Sequence, residues 1–69
     1  MKVFAERLKF ERSQKGLSQY EIAEMLKIPR STYHNYELDK GSQPPFETVC
    51  EIAKILGVSV DYLFGLKDV

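Results

Sequence analysis

Arg30, Ser31, His34 and Asn35 gather four hydrogen-bonding side chains into six consecutive residues. An arginine guanidinium is a planar fork that matches O6 and N7 of guanine, and an asparagine amide matches N6 and N7 of adenine. Asn35 follows Ser31 by four residues and Arg30 by five, so a helix brings them round to one face, a turn apart. Tyr33 and Tyr36, three apart, fall on the opposite face and are expected in the core or at its edge. His34 is the sole histidine, and no cysteine or acidic cluster stands near it at metal-ligand spacing, so it reads as a polar groove contact or a plainly exposed residue rather than a ligand. No Ser–His–acid, Cys–His, carboxylate-pair or glycine-rich phosphate arrangement is present. The chemistry on offer is recognition of base edges in double-stranded DNA, with no enzyme activity, metal or cofactor expected.

A helix can read a groove only if other elements hold it there. Residues 16–37 read as two short helices folded across a tight turn. Ser18 and Glu21 form a capping box at the start of the first, which runs to about Leu26. Ala23 is small where the helices approach, and Ile22 and Leu26 are apolar where they pack. Pro29 suits the first turn of the next helix, where a missing N–H does no harm; that helix ends near Glu37 or Leu38. The pattern is a helix-turn-helix, about residues 19–38. Ahead of it, a helix over roughly 3–15 carries Phe4, Leu8 and Arg12 on one face and stops at Gly16. Behind it, a polar loop over 39–44 leads to a helix from Pro45 or Phe46 to Leu56. Val49, Ile52, Ala53 and Leu56 form its apolar stripe and Gly57 its stop. Ser59 caps a last short helix, Val60 to Phe64, with Asp61 in its first turn. With no alternating strand-like run, the expectation is an all-α bundle of five short helices, one domain over 1–69.

Sixty-nine residues lie near the lower limit for a self-supporting core, and 43% hydrophobic with 29% charged residues is ordinary globular composition. No run approaches the roughly 18 apolar residues of a membrane span, and the first residues carry charges too soon for a signal peptide. Cys50, the one cysteine, lies in the apolar-periodic fourth helix and reads as a buried small hydrophobe. A cytoplasmic protein is expected. Net charge is zero, unusual for a DNA binder, but residues 1–40 hold eight basic against six acidic groups and residues 41–69 two against four. The dipole has the right sign and is small. Nonspecific affinity should be weak, which calls for two copies acting together.

The chain resembles the Cro/C1-type (XRE) helix-turn-helix family, the DNA-binding domains of lambdoid phage repressors and many bacterial regulators. Carrying the resemblance are Arg12 ahead of Gly16-Leu17-Ser18-Gln19, the Glu21-Ile22-Ala23 block, Arg30-Ser31-Thr32 with Tyr36-Glu37, and the closing stretch from Ile52 to Leu63. It covers nearly the whole chain and implies a transcriptional regulator, most simply a repressor working as a homodimer on a palindromic operator. Position by position it implies base contacts from Arg30, Ser31 and Asn35, with His34 beside them. Ser18 and Gln19, at the head of the motif, lie against the DNA backbone or an outer base, and Lys40 opens a backbone-contacting loop. Arg12 and Glu37 match a largely buried salt bridge. Phe46, Val60, Tyr62 and Phe64 resemble a dimer-forming edge, and since Val58 and Leu63 already serve the core, not all of these are needed inside. Several positions depart from the family pattern, among them Pro44-Pro45 in the loop after the third helix and Phe10 beside Glu11. Lys27 stands where glycine is usual; a left-handed backbone there costs roughly 1–2 kcal/mol, so a different turn is expected. Pro29 replaces a Ser/Thr cap, and Tyr20 replaces an acid or polar residue. The competing reading is an interaction module on the same fold, such as an antitoxin masking a protein partner, or a regulator controlled by such a partner. An interaction face would make the outer side of the third helix more apolar.

Overall fold

The ends of the helices explain the architecture. The computed structural model describes residues 2–69 and forms α1 (Lys2–Gln14), α2 (Gln19–Leu26), α3 (Arg30–Leu38), α4 (Phe46–Leu56) and α5 (Val60–Leu63), with no strand among the described residues. Each helix stops in the same way: a left-handed residue follows, and its own amide and the next one bond back into the last turn. At the end of α1, Gly16 N–H donates to Ser13 O and Leu17 N–H to Arg12 O. Gly57 does the same after α4, with Val58 N–H donating to Ala53 O.

The ends of α2 and α3 keep this geometry without glycine. Lys27 takes φ 59° and ψ 42°, and Asp39 takes φ 57° and ψ 42°. The expectation of a different turn at Lys27 is therefore corrected. Lys27 N–H donates to Glu24 O and Ile28 N–H to Ala23 O, and the half-buried Ile28 packs against the core, so the paired bonds and that contact hold a strained residue in place. The Ser18 capping box forms as expected: its hydroxyl oxygen accepts from Glu21 N–H at 3.0 Å, and its own N–H donates to Glu21 Oε1 at 2.8 Å. Pro29 takes the N-cap of α3, the position where it replaces a Ser/Thr cap. It offers no side-chain acceptor, and its carbonyl takes the amides of Thr32 and Tyr33. Pro45 caps α4 likewise without a side-chain bond.

The core lies where α1, α3 and α4 converge with α2 and α5. Phe4, Leu8, Ile22, Ala23, Tyr33, Tyr36, Val49, Ile52, Ala53, Leu56 and Leu63 are buried in one cluster. Cys50 is half-buried, not buried, because it sits one residue round the helix from the Val49 stripe. Among the described residues, no helix is long and apolar enough to cross a membrane.

Candidate nucleic-acid interface

Helix α3 has two faces of opposite character. Inward, Tyr33, Tyr36 and Glu37 are buried, the two rings meeting edge to face at 6.2 Å. Outward, Ser31, His34, Asn35 and Leu38 follow one another at i, i+3, i+4 and i+7, all exposed, with Arg30 exposed at the helix head. The four polar residues expected to contact bases therefore share the open side of one helix. Leu38, 48% exposed at the end of that row, did not figure among the expected contacts, although its i+7 spacing from Ser31 marks it.

The inner face is fixed by a carboxylate. Glu37 Oε2 accepts from Arg12 Nε at 2.6 Å and from the Tyr33 hydroxyl at 2.6 Å; Oε1 accepts from Arg12 Nη2 at 3.2 Å and from Gln19 Nε2 at 3.0 Å. The side chains are 13% (Arg12) and 2% (Glu37) exposed, so this is a buried pair. Arg12 also reaches across to Leu17 O at 2.6 Å, tying the turn before α2 to the same cluster. Burial pushes the Glu37 carboxyl up, but hydrogen bonds from Arg12, Tyr33 and Gln19 outweigh it and hold the group below the ordinary carboxylate range. The hydrogen bond to Glu37 raises Arg12 despite burial, and burial followed by the bond to Glu37 pushes the Tyr33 hydroxyl far above its ordinary value. Helices α1, α2 and α3 thus meet on one ionised group.

The family-model comparison adds a decisive match: a model described as a helix-turn-helix domain covers residues 5–69. The chain belongs to the helix-turn-helix domain family. Its class is the Cro/C1 (XRE) type that the sequence blocks resemble. Among curated proteins of Bacillus subtilis (strain 168), the domain is 44% identical over 61 residues to the SPbeta prophage-derived uncharacterized HTH-type transcriptional regulator YonR. That match spans 88% of this chain and 56% of YonR. It is 44% identical to the uncharacterized HTH-type transcriptional regulator YqaE, spanning 88% of this chain and 52% of YqaE. It is 38% identical over 63 residues to the HTH-type transcriptional regulator ImmR, spanning 91% and 49%. The chain spans about half the length of these relatives.

Within the helix-turn-helix domain, the other residues singled out by sequence fall in distinct surroundings. Ser18 is exposed, its oxygen engaged in the capping box. The Gln19 side chain turns towards α3 instead of outward: Nε2 meets Glu37, and Oε1 lies 3.0 Å from His34 Nδ1. Lys40 is exposed, its amide donating to Asn35 O at 3.0 Å, and Asn35 Nδ2 lies beside Gly41 at the start of the polar loop. Tyr20 is 60% exposed on α2, its hydroxyl donating to Glu24 Oε2.

The residues resembling a dimer edge divide. Phe46 is 70% exposed, whereas Val60, Tyr62 and Phe64 are half-buried against the chain's own core. Phe64 stacks on Phe4 with centroids 5.3 Å apart. The Tyr62 hydroxyl donates to Glu11 Oε2 at 2.7 Å, a bond that raises its pKa, and Arg7 lies over its ring at 4.4 Å. Phe46 is thus the one of the four not needed inside, while Val60, Tyr62 and Phe64 pack against the core beside Val58 and Leu63. Helix α5 is a single turn laid against α1 and α4, and it uses side chains on both sides to stay there.

Proposed function

We propose that this domain binds double-stranded DNA sequence-specifically by laying α3 in the major groove, as the reading part of a transcriptional repressor acting as a homodimer on a palindromic operator. One observation carries the reading: Ser31, His34 and Asn35, with Arg30 at the head, stand exposed on the same helix whose other face is locked by Tyr33, Tyr36 and Glu37. Arg30 pairs with a guanine, Asn35 with an adenine, Ser31 with a nearby base or phosphate, and Leu38 packs on a thymine methyl or a sugar. Lys40 and the head of α2 at Ser18 and Gln19 touch phosphates. Because the Gln19 side chain is turned to α3, its contribution there comes from its main-chain N–H and the second hydrogen on Nε2.

The case for two copies rests on charge and size. A chain of zero net charge gains little from phosphate attraction. Its longest dimension is 29 Å, less than the ~34 Å between successive major grooves on one side of the duplex. Two copies double the contacts. Phe46, with the open part of Val60, is the apolar surface proposed for their contact; Tyr62 and Phe64 support that edge from within the chain.

Selection of bound sites from random duplexes tests the proposal. The expected product is a palindrome with half-sites about 10 base pairs apart, centre to centre. A pool that stays unenriched contradicts DNA reading, and a single unrepeated half-site contradicts the dimer.

A further inference from the structure

Gln19 sits between two groups, one of which has no freedom. Its Nε2 faces Glu37 Oε1 and its Oε1 faces His34 Nδ1, both at 3.0 Å. An ionised carboxylate only accepts hydrogen bonds, so the amide must present nitrogen to it; the flipped amide would set oxygen against oxygen. Glu37 stays ionised because the Arg12 guanidinium grips both its oxygens. The amide is planar, so with nitrogen turned to Glu37 its oxygen is committed to His34. That oxygen also only accepts, and therefore His34 Nδ1 carries the hydrogen. A neutral imidazole has one N–H, which leaves Nε2 a bare acceptor. His34 belongs to the exposed row of α3, three residues after Ser31 and next to Asn35.

We infer that His34 is a polarity-fixed base reader: its Nε2 accepts a hydrogen bond from a base amino group, cytosine N4 or adenine N6, and Gln19 is the positioning residue that sets this sense. The inference rests on α3 lying in the major groove, where those amino groups are presented. Guanine and thymine offer acceptors at the corresponding edge and are disfavoured there. A buried ion pair that looks purely structural thereby reaches the groove in two steps, Glu37 to Gln19 and Gln19 to His34.

Two measurements test it. In the free protein at mildly alkaline pH, long-range proton–nitrogen correlation spectra of the His34 ring read the tautomer without DNA. The expected result is hydrogen on Nδ1 in the parent and a mixture of tautomers in Gln19→Ala. Site selection reads the consequence. The parent should favour cytosine or adenine over guanine or thymine at one position by roughly three- to tenfold. His34→Ala should flatten that position alone, and Gln19→Ala should admit guanine or thymine there. Thermal unfolding of both variants checks that they are folded. Hydrogen on Nε2 in the parent overturns the tautomer. Hydrogen on Nδ1 with undiminished selectivity in His34→Ala overturns the reading role. Failure of the parent to select any site overturns the groove placement of α3, and the reading role with it, whichever tautomer the ring holds.

Discussion

The two faces of α3 do different work with similar residue types. On the inner face, polar groups are buried and saturated: Glu37 accepts four hydrogen bonds, and among the described residues no buried side-chain nitrogen or oxygen lacks a partner. On the outer face, Arg30, Ser31, His34 and Asn35 are exposed. Removing a partner from a buried network strands the remaining charge and is expensive; removing an exposed side chain leaves the fold almost untouched. On the proposed reading, the difference separates stability from recognition within nine residues. If α3 reads DNA as proposed, fold-breaking substitutions should cluster at positions 33, 36 and 37, and recognition-changing ones at 30, 31, 34 and 35.

The largest effect expected from this division is at Glu37. Glu37→Ala leaves Arg12 and Tyr33 buried without their shared acceptor and should cost on the order of 3–5 kcal/mol, measured by urea unfolding. That approaches the whole stability of a small domain. A variant melting within a few degrees of the parent would merge the two faces into one.

The same carboxyl gives the inner face a pH signature. Its folded pKa lies below the ordinary value of 4.5, so the unfolded chain binds the proton first as pH falls. The stabilisation is complete above about pH 4.5 and drains away as pH drops through the lower folded value. Glu37→Gln should lose this part of the acid sensitivity, which unfolding midpoints at several pH values would reveal as a shallower decline.

On the outer face, Arg30→Ala or Asn35→Ala should weaken binding to the best site by about 1–3 kcal/mol and relax preference at one or two base pairs. Unfolding midpoints should barely move. Lys40→Ala should weaken all sequences alike and lower the salt slope by about one unit. Equal loss on specific and random duplexes for Arg30→Ala would make that residue a phosphate contact.

The smallest effect concerns the turn that sets α2 against α3. Lys27→Gly removes left-handed strain of roughly 1–2 kcal/mol and loosens the unfolded chain by roughly 0.5–1 kcal/mol. A net gain of about 0.5–1 kcal/mol should appear as a raised midpoint, with DNA preference unchanged.

Local signals wrote much of this plainly into the sequence. The Ser18–Glu21 box, the stops at Gly16 and Gly57, the Val49 stripe and the inward pair of tyrosines depend on neighbours a turn or two away, and they appear where spacing puts them. What spacing missed depends on distant partners. Lys27 adopts a backbone its own preference opposes because two amide bonds and the packing of half-buried Ile28 on the core over-determine the turn. Tyr62 and Phe64 look spare in a short terminal helix until α1 supplies Glu11, Arg7 and Phe4. The bond that turns the Gln19 side chain towards α3 runs to Glu37, eighteen residues away, beyond the reach of local spacing.

Titration of the isotope-labelled protein with its selected duplex, followed amide by amide, tests the division of α3 most directly. Groove binding through the outer face predicts the largest shifts along Arg30–Leu38 and at the head of α2 around Ser18 and Gln19, with smaller ones at Lys40 and Gly41. Shifts centred on Phe46 and α5, with α3 silent, would contradict it.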